Sequence, residues 1–243
     1  MANLGRYRSD AEKKYHEDRD AFIAGIDKKD IADAPFLFST RAMVSEMAVR
    51  FELFSMVRDV SGAIVECGVA KGNNLLLFGH LSSIMEPYAI NRRIIGFDTF
   101  EGFRSLGGKG DPRDIGESDF SETSEKVVQR AIDLADLNRA AGHIRRTEIV
   151  KGDAVTTIGP YVENHPELTV ALLYLDFDIY EPTRVALQHL LPLVCKGGIV
   201  AFDEFNYDKF AGETAAAKEM LDLRRIELRR FYYDPFVAYF RVS

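Results

Sequence analysis

Two acidic clusters and one glycine turn carry the chemistry that this sequence offers. The first cluster lies in Tyr174-Leu175-Asp176-Phe177-Asp178-Ile179-Tyr180, the second in Ala201-Phe202-Asp203-Glu204-Phe205-Asn206. Each follows an apolar run, TVALLYL (169–175) or GIVAF (198–202), that reads as a buried strand. If those strands are neighbours, Asp176, Asp203 and Glu204 meet at one edge of the sheet. Carboxylates so crowded repel one another unless protonated or bridged by a cation. Oxygen-only ligands favour Mg2+, Ca2+ or Mn2+. A cation there would hold two oxygens of a bound molecule, lower the pKa of a hydroxyl and stabilise the alkoxide. Asp178 lies two residues beyond Asp176 and so points the same way on an extended chain. It suits the part of ligand, supporting group or base. The alternative is that some of these acids are solvated caps, Glu204 foremost. None of the five histidines stands at a strand end, so a histidine base is not indicated; His143, in a loop, stays open.

The glycine turn is Val65-Glu66-Cys67-Gly68-Val69-Ala70-Lys71-Gly72-Asn73. Gly68 and Gly72 let the backbone turn tightly and approach a ligand closely. Asn73 is placed to cap the helix that follows, whose first amides favour a carboxylate or another anion. Glu66 ends the strand with a carboxylate that suits an ammonium group and suits a pyrophosphate poorly. Lys71 lies within the turn. A second strand, RRIIGFD, ends at Asp98 followed by Thr99, and an acid there accepts hydrogen bonds from ribose hydroxyls. A third ends in Lys151-Gly152-Asp153, an acid suited to an adenine amine or, more plainly, to capping a helix. Acids at three successive strand ends suit a nucleoside carrying an amino-acid group. Asp98 lies 30 residues after Gly68 (98 − 68), whereas a dinucleotide fingerprint needs G-x-G-x-x-G and an acid about 20 residues on. A nicotinamide dehydrogenase is therefore a distant alternative.

The elements that position these residues alternate from Ala63 onward. Strands are expected at 63–66, 93–98, 147–151, 169–175 and 198–202. Helices are expected at 73–85, about 121–141, from Asp153, at 181–194 and at about 214–224. Segments 226–233 and 236–242 read as an antiparallel pair around Asp234-Pro235. Five β/α units imply a mostly parallel, seven-stranded sheet with a C-terminal antiparallel hairpin and helices on both faces. Ligands of such sheets sit at the carboxyl ends of the strands. The loop from Thr99 to Ser118 is long for an α/β connection and reads as a lid. Before the sheet, Met43, Met47, Phe51 and Phe54 recur at helical spacing and predict one buried face. Residues 1–38 read as a helical or partly disordered arm and 39–243 as the catalytic domain.

Bulk properties exclude several classes. The 243 residues suit one α/β domain with a short extension. A net charge of −7 without a basic stripe argues against nucleic acid. Two cysteines, Cys67 and Cys195, are too few for a disulfide scaffold and predict a reduced, cytoplasmic protein. The charged first twenty residues hold no apolar stretch of a secretory signal, and no apolar run is long enough for a membrane span.

The motifs VECGVAKGNN, FDTFEGF, KGDA, LDFDIYEPT and GGIVAFDEF, with the later Gly212 and Ala216-Ala217, resemble those of the macrocin O-methyltransferase (TylF-like) family. The resemblance covers roughly Thr40 to Leu223. It implies a Rossmann-like class I fold and S-adenosyl-L-methionine as methyl donor. It further implies Mg2+ or another divalent cation on Asp176, Asp203 and Glu204, with Asp176 doubling as proton acceptor. The family commonly has Asp where this chain has Glu204. The acceptor it implies is a hydroxyl of a sugar, on a natural product or linked to a nucleotide, and the assembly a homodimer. By this reading Asp176 and Asp178 are catalytic, and Glu66, Gly68, Lys71, Gly72, Asn73, Asp98, Thr99 and Asp153 hold the donor. Two alternatives remain: another acceptor, such as a catechol, phenol or carboxylate, and a non-catalytic protein that keeps the donor site.

Overall fold

The computed structural model describes residues 9–117, 119–121 and 124–243. One compact unit ends at Ala48 and the second spans Val49–Ser243. The division falls inside a helix, later than the Phe38/Ser39 boundary read from the sequence.

The first unit holds α1 (Asp10–Ala24) and α2 (Lys28–Asp33), followed by a 3-10 turn at Pro35–Leu37. Ser9 and Glu12 form a reciprocal capping box on α1. Arg19 donates to the Phe38 carbonyl through Nε at 2.9 Å and Nη2 at 2.6 Å. Phe22 stacks on Phe38 with ring centres 5.7 Å apart. The arm is thus helical over its described part. Residues 1–8 lie outside the described residues.

Helix α3 (Arg41–Val57) leads into the second unit. Its buried residues are Val49, Arg50, Leu53, Phe54 and Val57. The stripe expected from the sequence is corrected here: Met43, Met47 and Phe51 are 36%, 39% and 48% exposed, and only Phe54 of that set is buried. The true face contains an arginine, which a hydrophobic pattern excludes, so the larger apolar residues beside it drew the prediction round the helix.

In the second unit the strands are β1 (Ala63–Cys67), β2 (Ile94–Asp98), β3 (Thr147–Lys151), β4 (Val170–Leu175), β5 (Val194–Phe202), β6 (Arg229–Arg230) and β7 (Ala238–Arg241). They form one sheet in the order β3-β2-β1-β4-β5-β7-β6. β1 to β5 pair in parallel, while β7 runs antiparallel to both β5 and β6. The expected mixed sheet with its terminal hairpin is therefore present, the hairpin strands being shorter than read. Helices α4 (Asn73–Met85), α5 (Glu125–Leu137), α6 (Ala154–Asn164), α7 (Tyr180–Leu190) and α8 (Gly212–Met220) connect the strands. α5 is shorter at both ends than the 121–141 span expected. The backbone leaves the helical path at the C-cap Asn138, with φ −107° and ψ 28°. The helix after β4 stops at Leu190 and passes through a 3-10 turn into β5, because Pro192 lacks the amide that another α-turn needs.

Alternation along the strands explains the core. Val65, Cys67, Ile95, Phe97, Leu173 and Leu175 enter one buried cluster with Ile158 and Leu187. Ile64, Ile94, Leu172 and Tyr174 enter the other, with Leu53, Phe54 and Phe78. Both faces of β4, which is buried along its whole length, are dry, and its sequence reads as an unbroken apolar run, whereas the edge strand β3 is only partly buried. In β2 and β4 the first polar groups stand at or just past the carboxyl end, Asp98 and Asp176.

Candidate active site

Gly68 begins the turn after β1 with φ 100°, and a Cβ there would lie 1.9 Å from the Asp176 carbonyl oxygen. The glycine lets the β1 turn lie against the end of β4, and the Asp176 amide donates to the Cys67 carbonyl at 2.7 Å. Two site segments from distant parts of the chain are thereby fixed side by side. Gly72, with φ 80° and ψ 8°, is the N-cap of α4 and offers no side-chain cap. Asn73, expected to cap this helix, is its first residue instead. The first-turn amides of α4 thus carry no side-chain acceptor, and such amides attract carboxylates. Lys71 is exposed at the crest of the turn.

Asp98 holds this turn in place. Its Oδ2 accepts from the Val69 and Ala70 amides, each at 2.8 Å, and its Oδ1 from the Phe100 amide at 2.6 Å. The carboxylate expected to meet ribose hydroxyls is here bound by three backbone amides of the loops on either side. Thr99 Oγ1 donates to the Gly102 carbonyl at 2.6 Å and accepts from the Glu101 amide at 3.1 Å, shaping the start of the long loop. Asp153 caps α6 by accepting from the Val155 amide at 2.9 Å, and its other oxygen accepts from Ser105 Oγ at 2.9 Å. The loop after β2 is anchored again at Asp111. One oxygen of Asp111 accepts from the Tyr180 amide at 2.7 Å, the other from the Gly107 and Gly108 amides at 3.1 and 2.8 Å. The lid expected over 99–118 is thus tied to the start of α7 in its first half. Ser118 lies outside the described residues.

Glu66 is fully buried, and neither carboxylate oxygen has a hydrogen-bond partner. Burial pushes its pKa well up, while the Arg50 guanidinium and the Asn74 side chain pull it back. Arg50, 3% exposed, reaches from α3 to Asp203, donating to Oδ1 at 2.8 Å. The Tyr174 hydroxyl donates to the same oxygen. The guanidinium also lies over the Tyr174 ring, 4.9 Å from its centre. Sequence reasoning missed Arg50, one of several charges along a helix that also carries Glu46 and Glu52, and nothing in its sequence separates it from those.

Beside this ion pair, Asp176, Asp178 and Glu204 offer carboxylate oxygens that all lie within 4.8 Å of one another. The parallel pairing of β4 and β5 produces this meeting, since Leu175 aligns with Phe202 and the acids follow both. Asp178 takes a positive φ of 64°. Asp203, expected within the cluster, borders it, with the bonds from Arg50 and Tyr174 both falling on Oδ1. Burial first, then the charges of Asp203 and Glu204, raise the Asp176 pKa well above the usual range. Burial likewise lifts Asp178 to about 8, with the Asp176 charge adding to it and Glu204 opposing it. Glu204 is raised by burial and by the neighbouring Asp178 and Asp203. Its Oε2 is buried without a hydrogen-bond partner. Such a set is short of positive charge, and an oxygen-only donor group of this size fits a hard divalent cation.

A second missed residue, Glu213 in the first turn of α8, is wholly buried. It accepts from the Phe177 and Asp178 amides at 3.1 and 3.4 Å through Oε1, and from the Glu204 amide at 3.3 Å through Oε2. The sequence ETAAAKEM gave no reason to separate it from a solvated helix acid.

A parallel sheet extended by an antiparallel β7 between β5 and β6, with a glycine turn after β1 and acids closing β1 and β2, defines a class: Rossmann-like class I methyltransferases, whose methyl donor is S-adenosylmethionine. The chain belongs to the macrocin-O-methyltransferase (TylF) family, whose family model matches residues 41–241. It is accordingly an S-adenosylmethionine-dependent O-methyltransferase. The crystal structure of CalS11, described as a calicheamicin methyltransferase, is 31% identical, with a TM-score of 0.88, covering 96% of this chain and 93% of that one. An apo structure of CalS11, described as a TDP-rhamnose 3'-O-methyltransferase, is also 31% identical, with a TM-score of 0.83 and coverage of 96% and 95%. The O-methyltransferase NovP shares the fold at 21% identity and a TM-score of 0.66, over 85% of this chain and 84% of that one. Comparison with curated proteins gave no match. Among the described residues no helix is long and apolar enough to cross a membrane.

Proposed function

We propose that the chain methylates a hydroxyl of a sugar or sugar-bearing metabolite, a deoxysugar of a natural product or a nucleotide-linked sugar, with a divalent cation, Mg2+ foremost, in the site. The relation to CalS11 at 31% identity supports the acceptor class. The observation that carries the cation is the convergence of Asp176, Asp178 and Glu204 within 4.8 Å, with Glu204 Oε2 buried and unpartnered.

Asp176, Asp178 and Glu204 would hold the cation, and Asp203, fixed by Arg50, adds negative charge beside them. Bound there, the cation would lower the pKa of the acceptor hydroxyl. The proton leaving that hydroxyl passes to the Asp176–Asp178 pair. Glu66, with Lys71 and the bare amides after Gly72, would receive the amino-acid end of the methyl donor. Asp98, Thr99 and Asp153 would bracket its nucleoside. Gly68 keeps the two halves of the site in contact, and a methyl transfer depends above all on that alignment. The 107–111 segment, fixed on α7, forms a wall beside the acceptor. Free Cys67 and Cys195 accord with a reduced, cytoplasmic setting. Exposed Ile84, Leu134 and Leu137 along α4 and α5 accord with a homodimer.

Calorimetric titration of S-adenosylhomocysteine, with Mg2+ and with chelator, should show binding in both conditions. Methyl transfer, screened on deoxysugar nucleotides and glycosylated natural products, should need the cation and fail in Asp176→Asn. Full turnover in chelator would remove the cation from the reading. Transfer to catechols or carboxylates alone would remove the sugar.

A further inference from the structure

The acids at the ends of β4 and β5 come from loops that no backbone pairing joins beyond the Asp203 amide bond to the Leu175 carbonyl. Past that point the Asp178 and Glu204 side chains meet, and one further side chain grips the backbone of both loops. Glu213 Oε1 takes the amides of Phe177 and Asp178 from the first loop, and Oε2 takes the amide of Glu204 from the second. The neighbouring Thr214 Oγ1 accepts from the Asn206 amide at 2.8 Å. The start of α8 is pressed against the first loop, since a Cβ on Gly212 would lie 2.5 Å from the Tyr180 nitrogen and 2.7 Å from the Ile179 Cα. One carboxylate therefore grips both acid-bearing loops at their backbones, leaving the side chains of Asp178 and Glu204 to face each other.

We propose that Glu213 is a positioning residue: it sets the separation of the two loops, and thereby of Asp178 and Glu204, for a divalent cation. The inference rests on the reading of a cation site given above. Its chemical logic is that of outer carboxylates in metal centres, which orient the ligands without touching the ion. Glutamine in place of Glu213 keeps the volume but offers one acceptor oxygen, and its NH2 would face a donor amide. Aspartate keeps the charge but is one methylene shorter and cannot span both loops.

The test is a titration of Mn2+ into the full-length protein, wild type, E213Q and E213D, followed by calorimetry or by loss of the free-Mn2+ electron-resonance signal. S-adenosylhomocysteine affinity is measured on the same samples. For both variants the Mn2+ dissociation constant should rise by about 10–100-fold, with S-adenosylhomocysteine affinity changed less than about twofold. A purely structural role would lower thermal stability and weaken both ligands alike. Wild-type Mn2+ affinity in either variant that still binds S-adenosylhomocysteine would overturn the proposal. If wild type itself takes no Mn2+, the cation reading falls, and this inference with it.

Discussion

Replacing Arg50 with methionine tests whether the buried charge pair holds the site together. The substitution keeps an apolar stem in the α3 interface and removes the guanidinium. Asp203, whose side chain is only 12% exposed, would retain the Tyr174 hydroxyl and lose its cation. Glu66 would lose the charge that opposes its burial. Breaking a buried pair by deleting one partner costs about 3–5 kcal/mol. The contact of Arg50 with the Tyr174 ring belongs to the same change and is not added separately. For a chain of this size about 1 kcal/mol moves Tm by roughly 2–4 °C, so Arg50→Met should lower Tm by about 6–20 °C. Thermal unfolding followed by circular dichroism reads this directly. In an Asp203→Asn background the same substitution should cost about 1–3 kcal/mol less, because no carboxylate is then stranded. A Tm within about 2 °C of wild type, on a scale where 1 kcal/mol gives roughly that shift, would refute the reasoning. So would equal losses in both backgrounds.

Three further outcomes follow from the site. Gly68→Ala places a methyl group where the Asp176 carbonyl lies, and should abolish S-adenosylhomocysteine binding in titration; unaltered affinity would show that the two loops can part without consequence. Asp98→Asn turns an NH2 toward backbone donors that now meet a carboxylate. Hydrogen bonds to a charged group are worth about 1.5–3 kcal/mol, so S-adenosylhomocysteine affinity should fall by roughly 10–100-fold, and a change under about threefold contradicts the role given to Asp98. Asp111→Ala strips the acceptors from the Tyr180, Gly107 and Gly108 amides. It should cost about 0.5–2 kcal/mol of stability and raise the KM for the acceptor while donor affinity holds; an unchanged KM would detach the 107–111 segment from acceptor binding.

The central parallel strands were legible because they are apolar runs cut off by glycine or acid, and their order because a β/α alternation leaves few topologies. Helix α4 runs from Asn73 to Met85, as the pattern over those residues predicts. The strand-end acids were legible for the same reason, since strands buried on both faces place polar residues where the apolar run ends. What escaped were partners contributed from far along the chain. Arg50 and Asp203 are 153 positions apart, and an arginine among Val49, Leu53 and Phe54 reads as a snorkelling surface residue until its partner is seen. Glu213 is 36 positions from Phe177, and only packing of α8 on the loop after β4 distinguishes it from Glu219, an exposed acid of the same helix. Asp153 caps its helix, one of the two parts its sequence suited it for, but the Asp98 bonds to the Val69, Ala70 and Phe100 amides and the Asp153 bond to Ser105 depend on loop conformations that residue type does not encode.

The loop after β2 is two things joined end to end, and that bears on how the protein can be re-engineered. Up to Asp111 it is pinned: Lys109 pairs with Glu219 and lies over the Tyr180 ring, and Asp111 seals the start of α7. From Arg113 to Glu117 the chain is largely exposed. New chain ends are tolerated where the severed backbone holds few bonds. A circular permutation or an inserted reporter peptide opening between Arg113 and Glu117 would leave both sides seated, because Asp111 keeps the first on α7 and Glu125, paired with Lys151, keeps the second at the end of β3. The same opening four residues earlier would cut the strap from the helix it caps.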